Sequence, residues 1–299
     1  MAISSGFLRT LKQAPLESAI AALLLLLYGP LLWHWVDGWL NKSISIQHEY
    51  FSHGLIGIPF ALYLAWSQRS AWTGLPDRWH AVGVGLVAIA AVFYTSGLPD
   101  WVNLSLPLLL AGLCLCLKGT AGLRLQAFPL ALIALATPTQ LPYLIEPYVL
   151  PLQHFIASVA GFLLVQVGVD VSVQNIYLFV NGQTVEVAPH CAGLKMLFTS
   201  LYVALMLLHW TGLWTSRLRT GLFLAGTITI SVVGNILRNT LLSYFHGTSN
   251  TAAFDWLHES WGGDLYSALM LLSLIGLVNL IQQYIPPTLE LEAPPPSTF

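Results

Sequence analysis

The chain has 299 residues, 56% hydrophobic and 8% charged, and its eleven Lys and Arg against thirteen Asp and Glu leave a formal charge of -2. A soluble domain carries roughly 25% charged residues, so the composition excludes an ordinary water-soluble protein, and it excludes disorder, which needs high charge and low hydrophobicity. The near-neutral balance argues against nucleic acid as a partner, and the continuous apolar runs argue against a barrel, which leaves an all-α polytopic membrane protein.

A short segment with Arg9 and Lys12 precedes an apolar run from about Ala19 to Val36. No small-residue cleavage site follows the run, so it reads as an uncleaved first span. Further spans are predicted at 55–66, 81–97, 101–117, 123–136, 194–210, 222–237 and 265–284. Each approaches the ~20 residues that cross ~30 Å of hydrocarbon once its flanks are added.

The apolar segment His154 to Gly168 is ambiguous. Cytoplasmic loops hold the excess of Lys and Arg. With the amino terminus inside, the loop with Arg69 and Arg78 and the turn with Lys118 and Arg124 also fall inside. The loop with Arg217 and Arg219 falls inside only if residues 154–168 do not cross, so a re-entrant or interfacial helix is expected there. The result is about eight transmembrane helices with both termini cytoplasmic, in a plasma (inner) membrane protein.

Between Val169 and Ala188 the pattern becomes β-branched and alternating, and an Asn181-Gly182 pair marks a tight hairpin turn. An open hairpin cannot face lipid, so a short extracytoplasmic β-hairpin is expected. Residues 1–285 read as a single integral-membrane domain, and the Pro-rich, acidic residues 286–299 as a disordered cytoplasmic tail.

Cys114 and Cys116 lie in the run LPLLLAGLCLCL and read as small apolar residues of a membrane helix. Cys191 differs: it stands in APHCAGLKML, at the boundary of a span and beside His190. There is no zinc-type Cys/His spacing, and neither a metal nor an organic cofactor is expected.

In this topology Cys191 opens the sixth crossing, Arg238 closes the seventh and His258 precedes the eighth, all at the outer face. Cys191 is the candidate nucleophile, because a thiolate attacks carbonyl carbon. Lys195, four residues on, and the helix amino terminus would favour the thiolate, although an interfacial lysine that snorkels is an equally good reading. His258 suits a general base and acid, with Asp255 three residues earlier as its orienting partner if that stretch is helical. Arg238 could stabilise an oxyanion, hold a substrate carboxylate or simply anchor a span end. His53 and Glu49, with His48 behind them, lie in the first outer loop and could line the same cavity or form an interfacial belt.

EYFSHG before a span, CAGLKML opening one, GNILRNTLL closing one and FDWLHESWGG before the last together resemble the exosortases, over roughly residues 37–284. The wording is closest to the cyanobacterial branch, the cyanoexosortases, of B type. The resemblance implies a membrane cysteine protease or transpeptidase. Its substrates would be exported proteins with a carboxy-terminal PEP-CTERM-type signal: a short motif, one transmembrane helix and a basic tail. It implies an exosortase-associated membrane protein as a further partner. The family's Cys, Arg and His carry over to Cys191, Arg238 and His258, and its common Asn three residues before the Arg to Asn235. Many members read Cys-Ser-Gly where this chain has Cys191-Ala192-Gly193, so no serine hydroxyl serves here. A transporter subunit and a non-catalytic envelope scaffold are the rival readings. The one-faced polar cluster and the lack of an internal repeat disfavour the first.

Overall fold

The computed structural model describes residues 15–40, 50–188, 193–258 and 260–286. Arg9, Lys12, Lys42, His48, Glu49, His190, Cys191 and tail residues 287–299 therefore lie outside the described residues. Contacts group the chain into two compact units, Met1–Gln140 and Leu141–Phe299.

The first unit is helical: α1 (Pro15–Leu40), α2 (Gly54–Ser67), α3 (Arg69–Gly74), α4 (Ala81–Thr95), α5 (Pro99–Leu125) and α6 (Ala127–Ala136). α5 is interrupted at Gly119 (φ 61°, ψ −154°), inside the turn expected around Lys118 and Arg124. There Lys118 Nζ donates to Asp77 Oδ1 at 2.6 Å and to the Leu75 carbonyl at 3.0 Å. The two basic segments assigned to one membrane face thus meet at one end of this unit. α4 packs along α5, where the free thiol of Cys116 lies against Gly83, and α2 packs on α6. Several polar groups within these apolar helices are paired, as a low-dielectric surrounding favours. Trp35 Nε1 donates to Asn103 Oδ1 (2.8 Å), Asn103 Nδ2 to the Pro138 carbonyl (3.0 Å), and Tyr28 shares a 2.9 Å bond with Ser105.

The second unit contains α7 (Leu141–Ile145), α8 (Leu150–Gln166), the strands β1 (Val171–Gln174), β2 (Tyr177–Val180) and β3 (Gln183–Glu186), and four further helices. These are α9 (Leu194–Thr211), α10 (Arg217–Gly247), α11 (Thr251–His258) and α12 (Trp261–Tyr284). α10 is the axis of this unit and touches α8, α9, α11, α12 and the sheet. Ala204, Leu208, Leu213, Phe223, Val278 and Ile281 form a buried core that joins α9, α10 and α12. Arg219 at the start of α10 donates from Nε to the Ile285 carbonyl (2.8 Å), so α10 and α12 run antiparallel.

The expected hairpin is half of what forms. The three strands make an antiparallel meander in the order β1-β2-β3. The Asn181-Gly182 turn is present, with positive φ at both residues (49° and 82°) as a type I′ turn requires. The missed strand pairs across Asn175-Ile176, because Asn175 also adopts a left-handed conformation (φ 57°). Asparagine tolerates that region although no glycine signals it.

Among the described residues, five helical segments are long and apolar enough to cross a membrane: Ala19–Leu40, Pro99–Leu125, Leu194–Thr211, Arg217–Gly247 and Trp261–Tyr284. The spans expected at 55–66, 81–97 and 123–136 correspond to helices of 14, 15 and 10 residues. The segment expected to be re-entrant or interfacial is α8, 17 residues, whose buried positions Gln153, Ile156, Ala157, Ala160, Gly161 and Leu164 form one stripe. The chain is a multi-pass membrane protein.

Candidate active site

α10 has 31 residues, about 46 Å, which exceeds the hydrocarbon thickness by roughly half. Its far end is therefore available for a polar assembly. Gly247, the last residue of α10, packs on Val180 of β2, and its carbonyl accepts from Asn181 Nδ2 at 3.1 Å. Gln183 Nε2 donates to Ser249 Oγ at 2.8 Å. The sheet is thus fastened to the corner where α10 turns into α11.

α11 returns from that corner and ends at His258. The partly buried Arg238 guanidinium donates from Nη2 to the Leu257 carbonyl at 3.5 Å. The structure therefore brings Arg238 to the residue that precedes His258, across 19 positions of sequence. The imidazole of His258 stacks on Phe254, with ring centroids 5.2 Å apart and planes 15° apart. His246 meets the same phenyl ring at 5.4 Å and 57°. Asp255, the expected orienting residue, is exposed, and among the described residues no hydrogen bond joins its carboxylate to His258. Its main-chain carbonyl instead accepts from Ser260 N–H at 3.1 Å.

Asn235 lies one helical turn before Arg238 and is 1% exposed. Among the described residues neither atom of its amide has a hydrogen-bond partner. The amide packs on Gly193, the residue two positions after Cys191. Gly193 caps the start of α9 with φ 82°, and its carbonyl accepts from Leu197 N–H at 2.8 Å. Lys195 follows in the first turn of α9, half-buried. On the other side of Cys191, Val187 N–H donates to the Ile176 carbonyl (2.9 Å), and the Val187 carbonyl accepts from buried Gln153 Nε2 (2.8 Å). The segment that carries Cys191 is therefore held at Val187 and again at Gly193.

His53 belongs to the first unit. It is 5% exposed and donates from Nε2 to the Leu135 carbonyl at 3.1 Å. Burial holds its imidazole below the ordinary histidine range, against the opposing effect of its bonds to the Leu135 and Tyr50 backbone.

With this geometry in place, comparison with protein families matches residues 35–275 to the family described as transmembrane exosortase (Exosortase_EpsH). The chain belongs to the exosortase family. Comparison with curated proteins and with solved structures gave no significant match.

In this exosortase, two features of the site escaped sequence reading. The first is Gln153, which ties α8 to the chain ahead of Cys191; a lone glutamine in an apolar helix gives little warning of such a role. The second is a buried polar stripe at every fourth position of α10: Thr227, Ser231, Asn235, Asn239 and Ser243. Its four-residue period was legible, because residues at that spacing share a helix face.

Gly193→Ala should be among the most damaging single-methyl changes in the exosortase. A Cβ there would stand 2.6 Å from Asn235 Cγ and 2.7 Å from Nδ2, on a backbone with φ 82°. Left-handed strain and overpacking together should cost about 2–4 kcal/mol. Thermal unfolding in detergent should show the loss, and adding Asn235→Ala should recover only its steric part. An unchanged unfolding midpoint for Gly193→Ala would contradict the packing described here.

Proposed function

We propose that this exosortase is a membrane-embedded cysteine protease or transpeptidase that cleaves the carboxy-terminal PEP-CTERM-type signal of exported proteins. The observation that carries the reading is the convergence on α10. Arg238 reaches the backbone next to His258, and Gly193 packs on Asn235 one turn away. Covalent geometry tethers a residue two positions from Gly193 to within about 7 Å of it. On this reading Cys191, two residues before Gly193 in the sequence, is the nucleophile.

The chemistry then runs as acyl transfer. His258 takes the thiol proton, and the Cys191 thiolate attacks the scissile carbonyl. Arg238 and the amide of Asn235 stabilise the oxyanion of the tetrahedral intermediate. Collapse expels the leaving amine, which takes the proton from His258, and leaves a thioester on Cys191. Water or an acceptor amine or glycan attacks the thioester and restores the thiol. Lys195 and the amino terminus of α9 favour the thiolate.

On this reading both units act as one domain, with the site at the extracytoplasmic face and eight crossings that leave both termini in the cytoplasm. The distribution of charge supports that orientation. Arg217 and Arg219 sit at the end of α10 opposite Gly247, and Arg219 is bonded to the end of α12. α8 then lies against the bundle without crossing, and His53 is a supporting candidate of the site. The motif wording supports the cyanobacterial branch, of B type, and an accessory membrane protein as partner.

The test is co-expression with an epitope-tagged substrate that carries a PEP-CTERM-type tail from the same organism. Mass spectrometry of the product should show a new carboxy terminus, or an acceptor attached to it, and added hydroxylamine should divert product to the hydroxamate. An uncut cognate substrate at normal enzyme level would sink the proposal and leave the scaffold reading.

A further inference from the structure

A histidine that shuttles protons needs its ring held in one plane, and the usual device is a carboxylate on one ring nitrogen. The sequence supplies a candidate in Asp255, at the i−3 position of the same helix. The structure turns that carboxylate outward and uses only its main-chain carbonyl, at the end of α11. The imidazole meets Phe254, one helical turn back, in an offset stack at 5.2 Å and 15°. Aromatic pairs prefer this range of separation, and a phenyl face attracts a cation within about 6 Å.

We propose that Phe254 is the positioning residue for His258. The claim deepens the acyl-transfer reading and rests on it for its catalytic consequence. Two supports act on His258 at once. Phe254 fixes the plane of the ring, and Arg238 holds the backbone through the Leu257 carbonyl. The stack favours the imidazolium through the π-face, so the ring is stabilised in the form it takes once it has accepted the thiol proton. Because a phenyl face neither donates nor accepts a proton, it orients the ring without competing for the proton in flight.

Among the described residues, the charged and titratable groups on elements packed against α11 are Arg217, Arg219, Arg238, Tyr244 and His246 of α10 and Asp264, Tyr266 and Tyr284 of α12, with Asp255 on α11 itself. His246 contacts the same phenyl ring, so it is the neighbour whose titration must be followed alongside.

The experiment is a histidine-labelled NMR titration of the full chain in nanodiscs, with His258 assigned by difference from His258→Gln. The wild-type His258 ring protons should be displaced upfield by the phenyl ring current. Phe254→Leu should abolish that displacement and lower the titration midpoint by about half a pH unit, a roughly threefold change in proton affinity. Phe254→Tyr should retain both features, and Asp255→Asn should leave both unmoved. Processing in Phe254→Leu should fall with the acid limb of its pH profile moved the same way. The absence of an upfield displacement in the wild type overturns the proposal whether or not any variant folds. So does an Asp255→Asn shift as large as that of Phe254→Leu. The NMR readout does not depend on processing, so a failure of the acyl-transfer reading would show separately, as processing that survives His258→Gln.

Discussion

Cys191→Ala should abolish processing, with a loss of at least about a thousandfold, below detection on a gel. A reaction that passes through a thioester has no alternative nucleophile at that atom, and removal of a nucleophile ordinarily costs that much or more. Cys191→Ser should retain at most a trace, because a serine hydroxyl is far less acidic than a thiol. The other two cysteines, Cys114 and Cys116, lie within α5, with Cys116 against Gly83. They also allow a clean chemical version of the test. In a Cys114→Ala/Cys116→Ala chain the only remaining thiol is Cys191, so one equivalent of alkylating reagent should stop the reaction. Processing that continues in Cys191→Ala at equal protein level would remove the nucleophile assignment.

Arg238→Lys should slow processing by about a hundred- to a thousandfold, the usual cost of a lost oxyanion donor. Lysine keeps the charge and loses the planar fork, so the comparison isolates geometry from charge. The fold should survive, because Arg238 makes no ion pair among the described residues and its one hydrogen bond there is long, at 3.5 Å. Single-turnover kinetics separate the two functional readings. A fall in kcat with KM unchanged marks a donor used in the transition state, and a rise in KM alone marks an anchor for a substrate carboxylate. A span-end anchor would give an effect under about twofold in either constant.

The local readings that held were those with a strong local cause. The membrane character follows from long apolar runs with almost no charge. The Asn181-Gly182 turn follows from two residues that accept positive φ. The break near Lys118 and Arg124 occurs where a glycine interrupts α5. The readings that changed depended on partners distant in sequence or on conformations without a strong residue signal. The first strand of the sheet was missed because Asn175 makes its turn without glycine. Helical spacing proposed Asp255 as an orienting residue and says which residues can meet, whereas the exposure of that carboxylate was visible only in the structure.

The amino-acid sequence by itself determined that the chain is a helical membrane protein, that it carries exosortase-like motifs, and that Cys191, Arg238 and His258 are its chemical candidates. Composition and short motifs are local properties, and lipid forces every backbone group in a span to be satisfied within its own helix, so these conclusions need no tertiary knowledge. Only the tertiary structure decided that Arg238 reaches the backbone beside His258, that Phe254 stacks on its ring, that Gly193 rests on the buried amide of Asn235, and that Gln153 secures the chain before Cys191. The last three contacts depend on side-chain direction and on close packing between segments 34 to 42 residues apart or on neighbouring turns, which no periodicity encodes.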